Sequence, residues 1–93
     1  MARAKATVAL AHYATTIEAG AHRLIADEPR SNGGADAGPD PYELLLASLG
    51  ACTAITLRMY ADRKQWEMSA LTVELHFTRD AAKSERIERI FGV

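Results

Sequence analysis

Three features of the 93-residue sequence predict an α+β fold in which antiparallel strands wrap a long, buried central helix. The first is a helix start at Asp40-Pro41-Tyr42-Glu43, followed by fourteen uncharged residues at 44–57. The second is the alternation of Leu71, Val73, Leu75 and Phe77 with Thr72, Glu74, His76 and Thr78, which marks a strand with one buried and one wet face. The third is a group of short β-branched and apolar segments ahead of the helix, separated by turn residues.

The first elements are expected at residues 7–10, 13–17 and 22–26. Val8, Thr15, Thr16 and Ile17 favour extended backbone, and Gly20 breaks the chain between the second and third segments, so an antiparallel meander follows. Residues 27–40 are rich in turn formers, among them Pro29, Ser31, Asn32, Gly33, Gly34, Asp36, Gly38 and Pro39. They read as a loop of about fourteen residues without structure of its own, a kind that is usually a binding segment or disordered.

Asp40 suits the N-cap, and Pro41 suits the first helical position, where its missing N–H costs nothing. Glu43 stands three residues after the cap, where its carboxylate can reach back. The helical pattern runs to about residue 63, and the cations Arg58, Arg63 and Lys64 suit the negative end of the helix dipole. The first four turns carry so few charges that they should be covered on nearly all sides. Met59, Tyr60 and Trp66 are expected as packing residues, with Trp66 covering the helix end against the sheet. Residues 80–84 then turn the chain. Residues 85–93 begin a last strand with Ile87, Phe91 and Val93 on one face beside Arg89, and Ile90 opposite. Its outer edge would stay unpaired unless something covers it.

A single domain over residues 1–93 buries only roughly 60–65% of the surface its unfolded chain exposes, so oligomerisation is expected. Eleven basic and twelve acidic residues give a net charge of -1 with no basic cluster, which argues against nucleic acid and anionic membranes as partners. The apolar run at 44–57 is shorter than the ~20 residues of a membrane span and is interrupted by Ser48, Thr53 and Thr56, so it reads as a core helix. One cysteine forms no intrachain disulfide, and no apolar leader follows Met1, which points to the cytoplasm.

Residue chemistry leaves one candidate reactive group. Cys52 lies about three turns into its helix, too far for the dipole to activate it. A buried thiol in apolar surroundings is an inert small hydrophobe unless a cation accompanies it. His12, His22 and His76 stand on three separate segments and lack the spacing of a zinc site. Asp27, Glu28 and Asp36 match no EF-hand and read as a solvated polar loop. Gly33-Gly34 lacks the Lys and Ser/Thr of a phosphate loop and reads as a turn. No cofactor is expected.

The string from Gly38-Pro39-Asp40-Pro41-Tyr42-Glu43-Leu44-Leu45-Leu46-Ala47-Ser48-Leu49-Gly50-Ala51-Cys52-Thr53, continuing through Thr56-Leu57-Arg58-Met59-Tyr60-Ala61-Asp62-Arg63-Lys64, resembles the signature region of the OsmC/Ohr family of thiol-dependent hydroperoxide reductases. It is most similar to the OsmC-like redox-protein branch. The resemblance takes in Ala26-Asp27-Glu28-Pro29, Gly33-Gly34 and the strand at 71–77, and so covers most of the chain.

The resemblance implies that Cys52 is the peroxidatic residue, whose thiolate attacks the O–O bond of a hydroperoxide and becomes a sulfenic acid. It also implies an arginine and a glutamate that hold the thiol ionised and orient the peroxide. Arg30 is the candidate arginine, with Arg23 as a second, and Glu43 is the candidate glutamate. Tyr42 stands ten positions before Cys52, where well-studied members carry the glutamate. Glu43 comes one residue later, a rotation of about 100° on a helix, which equally suits a cap.

Members are intertwined homodimers with both active sites at the subunit interface. They run about half as long again, with a second central helix whose Cys-Pro-[Val/Ile]-His motif supplies a resolving cysteine. The present sequence ends before such a motif, so an external thiol reductant or a partner cysteine is expected to resolve Cys52, and the fold is expected to be completed by exchange with a second copy. The competing reading, from a different class, is a non-catalytic ligand-binding or interaction domain in which Cys52 packs the core.

Overall fold

The expected meander is present in the computed structural model, which describes residues 1–10, 12–79 and 85–92. Strands β1 (Ala4–Val8), β2 (Thr15–Ala19) and β3 (His22–Ala26) form an antiparallel sheet in the order β1-β2-β3. Ala19 pairs with His22, so Gly20 and Ala21 alone make the turn, and Gly20 takes a φ of 61° that favours glycine.

The first two strands lie earlier and later than their β-branched content suggests. Val8 pairs with Thr15, and His12 between them adopts a left-handed φ of 53°, which no strand accommodates. Thr15 Oγ1 donates to Tyr13 O at 2.9 Å and closes this turn. Strand β1 therefore draws on alanines that pair with β2 (Ala4 with Ala19, Ala6 with Ile17), although alanine by itself favours helix.

Residues 27–39 have a structure of their own, contrary to the expectation of an unstructured loop. A 3-10 turn spans Arg30–Asn32, and the chain then doubles back along β3. Side chains at two positions would collide with backbone there. A Cβ on Gly34 would sit 1.9 Å from Glu28 O, and one on Gly38 would sit 2.0 Å from Ile25 O. Asp27, expected to be solvated, is buried at 2% exposure beside Ala26.

Helix α1 spans Pro41–Arg63, the range that the cap signal and the returning charges predict. Its start is a reciprocal cap: Glu43 N donates to Asp40 Oδ1 at 2.8 Å, and Asp40 N donates to Glu43 Oε1 at 3.0 Å. Its end is a Schellman motif. Gln65 is left-handed at φ 59°, its N–H donates to Asp62 O, and Trp66 N donates to Ala61 O at 2.9 Å. Trp66 packs edge-on against Tyr60 with ring centroids 5.5 Å apart, the apolar contact that accompanies this motif, but it remains 59% exposed and does not seal the end against a sheet. Arg58 ties the following segment to the helix by donating to Met68 O at 2.7 Å and Ser69 O at 3.4 Å.

Strands β4 (Thr72–Arg79) and β5 (Glu85–Gly92) form an antiparallel pair, with Val73 opposite Phe91 and Phe77 opposite Ile87. Leu71, Val73, Leu75 and Phe77 are half-buried while Thr72, Glu74, His76 and Thr78 are exposed, as the alternation predicts. Residues 80–84, expected to turn the chain, and Val93 lie outside the described residues. Strand β4 approaches α1 at Gly50, where a Cβ would stand 2.9 Å from Leu75 Cδ1.

The chain divides into two compact units, Met1–Leu44 and Leu45–Val93. Of the residues of α1 only Ala61 is buried, so the cover expected around its first four turns is not supplied by the described residues. At 23 residues α1 is also long and apolar enough, by length and composition, to cross a membrane, a length that the count of fourteen uncharged residues understated.

Candidate functional site

The sequence selects Cys52 as the reactive group, and the structure places it near the middle of α1, after the cap at Asp40 has set the helix in register. Its side chain is exposed. In the single chain it shares this exposure with most of α1, of which only Ala61 is buried; the thiolate is the nucleophilic form of such a group. Thr53 on the next position donates its hydroxyl to Leu49 O at 2.8 Å and so satisfies its own polarity within the helix.

The proposed partners of the thiol lie in the first unit. Arg30 opens the 3-10 turn and is exposed, with its carbonyl accepting Gly33 N–H at 3.1 Å. Arg23, on β3, approaches Glu18 at 4.0 Å across the sheet surface, a solvated pair of little energetic weight. Glu43 uses one carboxylate oxygen in the cap of α1, which is the structural duty its position suggests.

The sequence reading missed Asp27, which has the most constrained carboxylate among the described residues. Its Oδ1 accepts Glu28 N–H at 2.7 Å, and its Oδ2 accepts both Ala35 N–H and Ala37 N–H at 3.2 Å. Burial pushes this carboxyl up, but the N–H donors of Ala37, Glu28 and Ala35, helped by the charge of nearby His12, outweigh it and hold the group below the ordinary value of 3.8. Local sequence offers little signal for this role, since two of its three N–H partners, Ala35 and Ala37, stand eight and ten residues further on. Beside it lies a shallow groove of about 240 Å³ lined by Val8, Tyr13, Thr15, Ala26, Asp27, Glu28 and Pro41. Among the described residues no group of His, Cys, Asp and Glu is disposed to hold a metal ion.

Residues 33–93 match the family model described as OsmC-like protein. The fold is similar to the crystal structure of an organic hydroperoxide resistance protein OsmC from Legionella pneumophila, also described as a predicted redox protein and regulator of sulfide bond formation. The TM-score is 0.67 and the identity 21%, and the match covers 98% of this chain and 67% of that one. No curated protein matches the chain.

Proposed function

Since the chain belongs to the OsmC-like protein family, we propose that it is a thiol-dependent hydroperoxide reductase with Cys52 as the peroxidatic residue. The observation that carries this reading is the place of the chain's one cysteine, at the middle of the helix that lies within the family match.

The Cys52 thiolate attacks one oxygen of ROOH, the O–O bond breaks, and the leaving alkoxide takes a proton to give ROH. Sulfur is thereby oxidised by two electrons to the sulfenic acid. An external thiol then condenses with the sulfenic acid to a mixed disulfide and water. A second thiol releases Cys52 by exchange.

Arg30 is proposed to favour the thiolate and orient the peroxide, because a guanidinium stays charged and offers several donors. Glu43 is the proposed carboxylate partner, in addition to its cap duty. The apolar surface of α1 supports a homodimer as the working form. Leu45, Ile55, Met59 and Tyr60 are all exposed in the single chain, and covering them with a second copy would remove that surface from water. A cytoplasmic protein in which α1 is a shared core helix fits this reading better than a membrane span.

The alkylation rate of Cys52 at pH 6 tests the proposal. A peroxidatic thiol reacts at least about tenfold faster than an unstructured cysteine at this pH, because more of it is ionised. Equal rates would remove the basis for catalysis and leave the binding-domain reading.

A further inference from the structure

Six consecutive backbone N–H groups, from Asn32 to Ala37, all find acceptors on residues 27–30. Asn32 and Gly34 donate to Pro29 O at 2.9 and 3.1 Å, Gly33 to Arg30 O at 3.1 Å, and Asp36 to Glu28 O at 3.2 Å. The remaining two, Ala35 and Ala37, converge on the single atom Asp27 Oδ2, while Glu28 N–H occupies Oδ1. Asp27 N–H is itself donated to Pro39 O at 3.1 Å, which closes the loop at its far end. At 2% exposure, water has little room to replace this carboxylate.

We infer that Asp27 is a positioning residue: its buried carboxylate sets the shape of the 27–39 loop and thereby the presentation of Arg30. The 3-10 turn that carries Arg30 is closed by bonds of the same web, from Asn32 to Pro29 and from Gly33 to Arg30. Gly34 and Gly38 let the chain lie close enough for the web to form, since side chains there would strike Glu28 O and Ile25 O. Releasing Ala35 and Ala37 loosens the return arm and lets the turn open. The inference rests on the proposed role of Arg30 at the Cys52 reaction.

A double-mutant cycle on the full chain tests it, with tert-butyl hydroperoxide as the probe and the second-order rate of Cys52 oxidation as the readout. Asp27→Asn keeps the side-chain volume but replaces one acceptor oxygen with a donor that faces N–H groups. Amide exchange at Ala35 and Ala37 is expected to accelerate about tenfold or more. The oxidation rate is expected to fall about tenfold through misplacement of Arg30. In an Arg30→Ala background the same change should cost less than about twofold, because the residue through which Asp27 acts is already gone.

Equal losses in both backgrounds would overturn the inference in favour of a general structural effect. An unchanged rate despite faster exchange would overturn it as well. A wild-type protein whose Cys52 ignores the peroxide would sink the proposed function first, and this inference with it. Should Asp27→Asn fail to give the wild-type circular dichroism, Asp27→Glu serves for the same readings, since it keeps the charge but displaces the acceptors.

Discussion

Replacing Asp40 with alanine measures what the reciprocal cap contributes to α1. The Glu43 N–H loses its acceptor at 2.8 Å, and because this position is exposed the freed group turns to water and adds no burial cost. The loss then lies near the middle of the range for cap removal, about 1 kcal/mol. Removing a carboxylate from the positive end of the helix dipole adds about 0.3–1 kcal/mol at low ionic strength. Together these give about 1.5 kcal/mol, which for a chain of this size lowers the melting temperature by roughly 6–12 °C. Asp40→Asn keeps the capping acceptor and loses only the charge, so its cost stays at about 0.3–1 kcal/mol and fades with added salt. Thermal melts followed by far-UV circular dichroism, at one protein concentration and at low and high salt, separate the two contributions. If Asp40→Ala melts with the wild type, or if the two substitutions cost the same, the cap does not stabilise the helix in the way described.

Gly34→Ala and Gly38→Ala should each destabilise the chain by about 3 kcal/mol or more, since the new Cβ meets backbone oxygens at 1.9 and 2.0 Å that no rotamer change relieves. Gly20→Ala, with φ at 61° but open space around it, should cost only about 1–2 kcal/mol, and urea midpoints rank the three. Gln65→Gly should stabilise by about 0.5–1 kcal/mol, because removing the left-handed penalty outweighs the added freedom of the unfolded chain; an unchanged or lower melting point contradicts this. Acid should act through Asp27. Its folded-state carboxyl lies below the ordinary 3.8, so its stabilisation is complete above that pH and is lost as pH falls from 3.8 toward the depressed value. The difference in urea midpoint between wild type and Asp27→Asn should therefore be constant near neutrality and narrow below about pH 4. A difference that does not vary with pH contradicts the assignment.

What could be read in advance follows the range of the forces involved. The start of α1 was legible because capping is local: Asp40, Pro41 and Glu43 act within one turn. The alternation in β4 was legible because a period of two needs no knowledge of the partner strand. Strands β1 and β2 were displaced because a left-handed histidine at position 12 has no glycine to announce it, and because pairing overrides the helix preference of alanine. The loop was misread because its organising bonds join Asp27 to N–H groups eight and ten residues away, a convergence that composition does not encode. Gly33-Gly34 was read as a turn signal, yet Gly34 also permits a close backbone approach that only the folded chain reveals. At the site, the position of Cys52 was legible from its surrounding string. Its exposure was not, because burial of α1 depends on surfaces that the described residues do not provide.

Intact mass spectrometry after brief exposure to an organic hydroperoxide tests the central claim most directly. The account predicts a gain of about 16 Da, or about 32 Da on further oxidation, in the wild type and none in Cys52→Ala. A wild-type mass that does not change, or a gain that persists without Cys52, would contradict it.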